Sequence, residues 1–232
     1  MNKPKVGVIG GNGLLGRALV KHFHAVNITN LGWNDTTYYD LLINANGNAS
    51  KHWAMLNPRE DWRKSVTSVY SSIQNFRFKR YLYISTVDVG KGVYGFHKGI
   101  AEQVVRHFCP TYYIVRCSAL VGEGLRKGPV YDMCKGSDMY VTRESRIQFI
   151  STKAIGHIIV GLMTSGLRNI EMTACPIGTT SMYDLETITG EKPNYGNDHQ
   201  EYTHDSTFAR ELYPALQTSN HYVREVLNER MD

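Results

Sequence analysis

The sequence lacks the features that mark membrane and secreted proteins. No stretch approaches the roughly 18 consecutive apolar residues that a membrane helix requires. The first apolar run, Val6–Ile9, begins almost at Met1 and leads directly into glycines. We therefore expect no secretory signal, which would need a basic region followed by a longer apolar region. We expect a cytoplasmic protein that does not contact a membrane.

Cysteine is scarce and dispersed, which argues against a metal or redox centre. The chain has four cysteines, Cys109, Cys117, Cys134 and Cys175. They form no C-x-x-C pair and have no zinc-type spacing with histidine, so we expect reduced and mostly buried thiols. Asp198, His199 and His204 lie in a polar loop with irregular spacing, and we predict no metal site there.

Clusters of basic residues are also missing. Lys and Arg number 26 against 21 Asp and Glu, a formal charge of +5 that is spread along the chain. Because no basic and aromatic module is visible, we predict no nucleic-acid partner. A small phosphorylated ligand explains this charge equally well. The 232 residues fit a single domain (1–232) with a small lobe, formed mainly by residues 123–150 and 175–232.

Short apolar strands alternate with helical patterns in the first half of the chain. We predict strands at 5–9, 25–31, 40–45, 81–85 and 112–116, and helices at 17–23, 58–76 and 94–108, with Asn57 as N-cap of the second helix. This alternation is typical of an α/β fold with a doubly wound parallel sheet. The pattern loosens after Gly122, where we expect short strands at 139–142 and 170–174 and a helix at 152–164.

Three glycines follow the first strand and open the first helix with G-x-x-G-x-x-G spacing. Such a turn lets the backbone approach a pyrophosphate closely, and the phosphates meet free N–H groups at the helix N-terminus. The strand before and the helix after the motif make it a specific signal for a Rossmann-type dinucleotide site. The predicted contacts here are Gly10, Asn12, Gly13, Leu14, Leu15, Gly16 and Arg17.

The choice between NAD and NADP stays open at this stage. An acidic residue is expected about 20 positions after the first glycine to bind the ribose 2′-hydroxyl, and Asn30 occupies that place. An uncharged Asn can bind the hydroxyl without repelling a phosphate. Arg17 could reach the 2′-phosphate of NADP or could be an ordinary solvated residue.

The segment 81–102 carries the predicted catalytic group. A strand ends in Ser85-Thr86, and Tyr94 and Lys98 follow as Y-x-x-x-K, so they share one face of a helix. A nearby ammonium favours the phenolate, and we expect Lys98 to lower the pKa of Tyr94 so that it acts as a general acid or base. The Thr86 hydroxyl is expected to stabilise charge on the same substrate oxygen.

The glycine turn and the phrase Y-G-x-H-K-x-x-x-E resemble the extended branch of the short-chain dehydrogenase/reductase superfamily, which contains sugar-nucleotide epimerases, dehydratases and 4-keto reductases. The resemblance covers most of the chain. It implies cofactor contacts at the end of the strand 40–45 and beside the nicotinamide, and substrate contacts with the strand end and the loops of the lobe. The implied cofactor contacts are Ala45, Asn46, Gly47, Lys98 and Cys117, and the implied substrate contacts are Ser85, Arg126, Lys127 and Arg146.

Several positions depart from the family pattern. Ser65, Cys117 and Lys153 stand where the family usually has Asn, Pro and Asp, and only 8 positions separate Thr86 from Tyr94. The short spacing predicts a compact substrate pocket, or one completed by the C-terminal lobe or by a partner subunit.

These observations favour an NAD(P)-dependent oxidoreductase or epimerase that acts on a nucleotide-linked sugar. Val87-Asp88 after Thr86 argues modestly against a dehydratase, which usually has Asp-Glu there, and the glycine-turn phrase leans toward 4-keto-sugar reductases. The alternative is a catalytically silent NAD(P)-binding sensor or scaffold of the same fold. The resemblance also implies a homodimer that packs the helices 58–76 and 94–108 of each subunit together.

Overall fold

The computed structural model describes residues 3–29, 36–48 and 50–229. The chain divides into two compact units. The first comprises Met1–Cys117 and Leu162–Met172, and the second comprises Ser118–Gly161 and Thr173–Asp232.

The first unit follows the predicted alternation of strands and helices. Its elements are β1 (Val6–Ile9), α1 (Leu14–Phe23), β2 (Val26–Ile28), β3 (Tyr38–Tyr39), β4 (Leu41–Asn44), α2 (Lys51–Leu56), α3 (Pro58–Trp62), a π-helical turn (Arg63–Thr67), α4 (Ser68–Asn75), β5 (Arg77–Phe78), β6 (Tyr81–Thr86), α5 (Gly92–Phe108) and β7 (Tyr112–Cys117). The strand predicted at 25–31 is observed at Val26–Ile28, and residues 30 and 31 lie outside the described part of the chain.

Six strands form the central sheet in the order β12-β7-β6-β4-β1-β2, where β12 is Ile170–Ala174. The pairs from β2 to β7 are parallel. Every residue of β1, β4 and β6 is buried, as expected for strands covered on both faces. This confirms the predicted Rossmann-type α/β fold. Since β2 and β4 lie on opposite sides of β1, the strand order of the sheet reverses between β1 and β4, and such sheets bind ligands at this switch point.

The helix predicted at 58–76 is interrupted by the π-helical turn Arg63–Thr67. Pro58 occupies the first helical position as predicted. Asn57 is the N-cap residue as predicted, but its side chain makes no capping bond and donates instead to the Trp53 carbonyl at the end of α2.

The second unit consists of short strand pairs and helices. Its strands are β8 (Ala119–Val121), β9 (Met139–Val141), β10 (Arg146–Ile147), β11 (Phe149–Ser151), β13 (Thr180–Ser181) and β14 (Tyr195–Asp198); its helices are α6 (Pro129–Cys134), α8 (Met182–Thr189), α9 (Thr207–Leu212) and α10 (Ser219–Asn228), and α7 (Thr152–Thr164) begins in it. β8 pairs with β11, β10 with β13 and β9 with β14. Ser181 and Asp184 form a reciprocal capping box at the start of α8.

Within the described ranges, no helix is both long enough and apolar enough to cross a lipid bilayer. The four cysteines are free thiols, and three of them, Cys109, Cys117 and Cys175, are buried.

Candidate active site

The glycine turn joins β1 to α1 with the geometry of an anion-binding site. Gly10 has φ +80°, and a Cβ there would lie 2.7 Å from the backbone of Asn46. A Cβ on Gly16 would lie 2.1 Å from the Gly10 carbonyl oxygen. A Cβ on Gly13 would make only an ordinary contact, 3.4 Å from the same oxygen. The fold itself therefore requires Gly10 and Gly16, whereas Gly13 keeps the exposed side of the turn open.

The first N–H groups of α1 lie behind this turn. Gly13 precedes the helix and provides no capping side chain, and the Arg17 N–H makes a helical bond to the Gly13 carbonyl. The N–H groups of Leu14 and Leu15 precede that bond, so the helix geometry leaves them without a carbonyl in α1. The Leu15 side chain is buried in the core, and only its backbone can contact a ligand. This arrangement fits a dinucleotide pyrophosphate.

The end of β4 lies directly against the glycine turn. The Asn46 N–H donates to Asn44 Oδ1 over 3.0 Å, and Asn46 Nδ2 donates to Ser68 Oγ over 2.9 Å. These bonds fix the backbone of Ala45, Asn46 and Gly47 at the switch point between β1 and β4, where the strand order reverses. The predicted residues of the glycine turn and of the β4 end are thus brought together.

Asn44 is a site residue that the sequence analysis did not single out. It is fully buried, and its Nδ2 donates to Tyr81 Oη over 3.0 Å and to Ser72 Oγ over 3.2 Å. This network anchors the β4 end to α4 and β6. A polar residue at the end of an otherwise apolar strand was the signal that could have indicated it.

Thr86 and Tyr94 come together where β6 ends and α5 begins. The Tyr94 phenol lies close to the Thr86 hydroxyl and interacts with it, and the same hydroxyl accepts the Asp88 N–H over 3.2 Å. A tight turn at 87–91 makes this possible despite the short spacing, because the Lys91 N–H donates to the Asp88 carbonyl. Gly95 allows α5 to approach this turn, since a Cβ there would lie 1.9 Å from that carbonyl oxygen.

Lys98 lies one helical turn after Tyr94 and is almost fully buried. Its Nζ donates to the Ile84 carbonyl over 3.1 Å. It also lies 3.1 Å from the point that a Cβ on Gly47 would occupy, so it borders the predicted cofactor strand. Burial lowers the pKa of Lys98 to about 8.

The expected lowering of the Tyr94 pKa is not observed. Burial raises the pKa of the Tyr94 phenol well above its usual value, and the nearby Asp88 and Asp61 charges raise it further, although the nearby Thr86 hydroxyl opposes this shift. The prediction was wrong because it counted the charge of Lys98 and not the removal of the phenol from water. Tyr94 is therefore protonated at neutral pH in this structure.

Asp88 adds a carboxylate beside the pair of Thr86 and Tyr94. Its Oδ2 forms a 2.8 Å ion pair with Lys51 at the start of α2, and its Oδ1 is buried with no hydrogen-bond partner in the described part of the chain. The residue missed by sequence analysis here is Lys51, whose position depends on a loop that sequence spacing does not reveal.

The Ser85 hydroxyl, a predicted substrate contact, is hydrogen-bonded within the protein. It donates to Glu102 Oε1 over 2.7 Å, because neighbouring strand residues point to opposite faces of the sheet. Glu102 also accepts hydrogen bonds from Arg106 and Arg116, which both pair with Glu171. Ser85 therefore helps to fasten α5 to the sheet.

Ser65 and Cys117, the two family departures in this unit, both lie near Lys98. Ser65 belongs to the π-helical turn, and its buried hydroxyl has no hydrogen-bond partner in the described ranges. It lies 3.7 Å from the point that a Cβ on Gly47 would occupy. Cys117 pairs in register with Thr86, and burial raises the pKa of its thiol to about 12. Cys117 is thus a neutral wall residue next to Lys98.

The remaining predicted residues have the following positions. Asn30 lies outside the described residues. Asn12 and Arg17 are exposed, and Asn12 accepts a hydrogen bond from Asn27. The predicted substrate contacts Arg126, Lys127 and Arg146 belong to the second unit and are exposed.

Lys153, also in the second unit, forms ion pairs with Glu225 and Glu229. The basic residue thus binds the acidic face of α10, which gives the departure at position 153 a structural reason. Among residues 3–29, 36–48 and 50–229, no group of three or more His, Cys, Asp or Glu side chains is arranged to hold a metal ion.

Comparisons with known proteins relate the chain to solved structures only. No family model matches it, and no curated protein matches it. RMD from Pseudomonas aeruginosa, solved with NADPH, has a TM-score of 0.81 and 13% identity, with 97% of this chain and 98% of that chain covered. A dTDP-4-dehydrorhamnose reductase from Clostridium acetobutylicum has a TM-score of 0.78 and 16% identity, with 98% and 100% covered.

A third similar structure is a UDP-glucuronic acid 4-epimerase from Bacillus cereus in complex with UDP-glucuronic acid and NAD. Its TM-score is 0.80 at 11% identity, and 98% of this chain and all of that chain are covered. Together these comparisons show that the chain has the fold of these enzymes along nearly its whole length.

Proposed function

We propose that the protein is an NAD(P)-dependent oxidoreductase or epimerase of the extended short-chain dehydrogenase/reductase type, acting on a nucleotide-linked sugar. One observation carries the proposal. The Thr86 hydroxyl, the Tyr94 phenol close to it, and the Lys98 ammonium next to Gly47 lie in one unit with the open glycine turn. A protein that only needed this fold would have no use for a buried lysine and a half-buried tyrosine at that place.

The cofactor would occupy the crevice between the ends of β1 and β4. The turn around Gly13 and the N–H groups of Leu14 and Leu15 would hold the pyrophosphate, and the backbone of Ala45, Asn46 and Gly47 would pass beneath the adenine ribose and the pyrophosphate. When bound, the nicotinamide donates or accepts hydride at its C4 position. Solved structures with this fold hold NADPH in one case and NAD in another, so both remain candidates.

Side chains of the site would carry out the proton transfer. Tyr94 would donate its phenolic proton to a substrate carbonyl oxygen as that oxygen gains negative charge, or accept it back in the oxidative direction. The Thr86 hydroxyl would donate to the same oxygen and orient it. Lys98 would bind the nicotinamide ribose. A protonated Tyr94 suits the reductive direction, in which the oxygen must receive a proton.

Two observations support a nucleotide-linked sugar as the proposed substrate, namely basic residues of the second unit and the ligands of similar solved structures. Arg126, Lys127 and Arg146 are exposed cations that could bind the phosphates of a nucleotide. Solved structures of this fold include an epimerase with UDP-glucuronic acid and a dTDP-sugar reductase. A nucleotide-linked sugar is therefore the proposed substrate.

The test is a measurement of reduced-nicotinamide absorbance. The purified protein is mixed with NADH or NADPH and a panel of UDP- and dTDP-linked sugars and 4-keto sugars, and sugar products are followed by chromatography. We expect turnover with at least one substrate. Tyr94→Phe should reduce turnover by about 10²- to 10⁴-fold while the cofactor affinity stays unchanged.

The alternative is a catalytically silent NAD(P)-binding sensor or scaffold. The observation in its favour is that Lys98 donates to the Ile84 carbonyl and that the pKa of Tyr94 is raised. A silent protein would bind the dinucleotide but would produce neither oxidised cofactor nor altered sugar with the whole panel. In that case Tyr94→Phe would change no measurable property.

We also propose a homodimer that packs α3 to α5 of each subunit together. Trp62, Tyr70, Phe96 and Phe108 on these helices expose between 40% and 56% of their surface. Aromatic side chains in such a group favour a protein partner over solvent. The elution volume in size-exclusion chromatography with light scattering gives the oligomeric state.

A further inference from the structure

A side-chain hydrogen bond joins the glycine turn to the strand beside it, and the proposed mechanism does not use it. Asn27 Nδ2, on β2, donates to Asn12 Oδ1, in the turn, over 3.0 Å. Both residues are exposed, so water would satisfy either amide if this bond were absent. The bond therefore adds little to the stability of the fold, and its main effect is to restrict the positions of the two side chains.

The same Asn27 side chain lies on Gly11. A Cβ on Gly11 would collide with Asn27 Oδ1 and would lie 2.6 Å from Asn27 Cγ. Gly11 is buried, yet it stands at a variable position of G-x-x-G-x-x-G, so the motif does not account for this glycine. Asn27 accounts for it, because its amide occupies the space that a side chain at position 11 would need.

The backbone does not require asparagine at position 12. Among the described residues, only His24 and Asn169 combine a side chain with positive φ, so Asn12 does not need the tolerance of asparagine for the left-handed region. The Gly13 N–H donates to the Gly10 carbonyl over 3.0 Å, and Asn12 is an inner residue of the tight turn that this bond closes. Its side chain is thus the part of the turn that Asn27 holds.

The central sheet fixes the position of Asn27. Asn27 pairs in register with Val8 of β1, and every residue of β1 is buried. Asn27 thus connects the sheet to two consecutive residues of the turn, Gly11 and Asn12. The next residue is Gly13, where the open side of the turn and the proposed pyrophosphate site begin. The conformation of this site therefore depends on a β2 side chain outside the glycine motif.

We propose that Asn27 is a positioning residue, which holds the glycine turn through Gly11 and Asn12 in the conformation that receives the dinucleotide pyrophosphate. The inference rests on the proposed function. A turn that is held before the ligand arrives loses less conformational freedom on binding, and the affinity is higher for this reason. Without Asn27 the turn populates further conformations, and only a fraction of the molecules is ready to bind.

Calorimetric titration with NADH and NADPH tests the proposal on three variants that break this contact in different ways. Asn27→Ala removes the amide, Asn12→Ala removes its acceptor, and Gly11→Ala adds a methyl group that must displace the amide. Each should raise the dissociation constant of the better-bound dinucleotide by about 3- to 10-fold. Because all three break one contact, Asn27→Ala combined with either of the others should give no further loss.

Hydrogen exchange in the ligand-free protein provides a readout without a cofactor. The Gly13 N–H closes the turn and should exchange several-fold faster in Asn27→Ala than in the wild type. Asn194→Ala is the matched control, because Asn194 is an exposed amide of the second unit that donates to Asp138 over 2.9 Å. It should change neither the exchange of Gly13 nor the affinity.

The outcomes separate this inference from the proposed function. Wild-type affinity in folded Asn27→Ala and Gly11→Ala, or an unchanged exchange rate of Gly13, overturns the role of Asn27 alone, provided that the wild-type protein binds a dinucleotide. A wild-type protein that binds neither NADH nor NADPH overturns both the proposed function and this inference.

Discussion

At the scale of single residues, burial shifts the pKa values of Tyr94 and Lys98 more than the nearest charges do. The phenol of Tyr94 and the ammonium of Lys98 both lie away from water, and each pKa moves toward the uncharged form. Y-x-x-x-K spacing predicts that the two side chains share a helix face, and it does not predict how much water surrounds them. The protonation of both groups during a reaction therefore depends on how much water remains in the site.

Lys98 gives a prediction about stability and pH. In the unfolded chain Lys98 stays protonated up to its ordinary pKa of about 10.4, whereas the folded value is about 8. The folded state thus carries an unfavourable buried charge below pH 8, and this penalty disappears as pH rises toward 10.5. We expect Lys98→Met to raise the unfolding free energy, by at most on the order of 3 kcal/mol at pH 7, with a smaller gain at pH 10.

Urea unfolding of wild type and Lys98→Met at both pH values measures this difference. Lys91→Met is the control, since Lys91 is exposed at the start of α5. A gain that is equal at pH 7 and pH 10 would show that packing, and not the charge, is responsible. Loss of turnover in the stabilised variant would place Lys98 among residues that trade stability for activity.

At the scale of elements, two glycines of the same turn have different roles. The fold requires Gly16, whereas Gly13 leaves space for a ligand. Gly16→Ala should destabilise the protein by about 1–3 kcal/mol, because its Cβ would collide with the Gly10 carbonyl oxygen. Gly13→Ala should cost about 1 kcal/mol or less. Its methyl group would occupy the open side of the turn, so dinucleotide affinity should fall at least about tenfold, or 1.4 kcal/mol.

Thermal unfolding and calorimetric titration with NADH and NADPH test this pair of variants. Each kcal/mol should shift Tm by roughly 2–4 °C for a chain of this size. Full affinity in Gly13→Ala would mean that the dinucleotide does not pass over this turn, and the proposed cofactor site would then be wrong.

The elements that sequence reasoning predicts well are those with a local signal. The apolar strands β1, β4 and β6 and the glycine turn need only short stretches of sequence to be identified. The π-helical turn is missed because one additional residue hardly changes the apolar periodicity of 58–76. Asp61 is missed because an acidic residue in the first turn of a helix ordinarily indicates a solvated side chain near the helix dipole, and only tertiary packing buries it.

At the scale of the whole molecule, the sequence predicts the topology but not the detailed contacts. The alternating elements imply the parallel sheet, and the order β12-β7-β6-β4-β1-β2 agrees with a doubly wound fold. The polar side chains that complete the site come from distant segments, such as Lys51 on α2 and Ser68 on α4. Sequence spacing carries no information on which of these loops and helices approach each other.

The proposed homodimer gives a prediction at this scale. Phe108 exposes 43% of its surface on α5 and lies 5.4 Å from the Tyr70 ring, so Phe108→Glu puts a charge into the proposed interface. We expect this variant to elute as a monomer. Tyr140→Glu is the matched control, since Tyr140 is 52% exposed in the second unit. A wild-type protein that is already monomeric at micromolar concentration would contradict the dimer.

The π-helical turn Arg63–Thr67 also predicts how this chain could lose its activity and keep its fold. A π turn is equivalent to one inserted residue, and deletion of that residue restores regular α-helical hydrogen bonds. Deleting Ser65 should therefore leave a continuous α-helix without the wider π turn. The deletion also removes the hydroxyl next to Gly47. We expect the shortened protein to fold and to have altered cofactor binding. A one-codon deletion would thus distinguish the structural role of this helix from its role in the site.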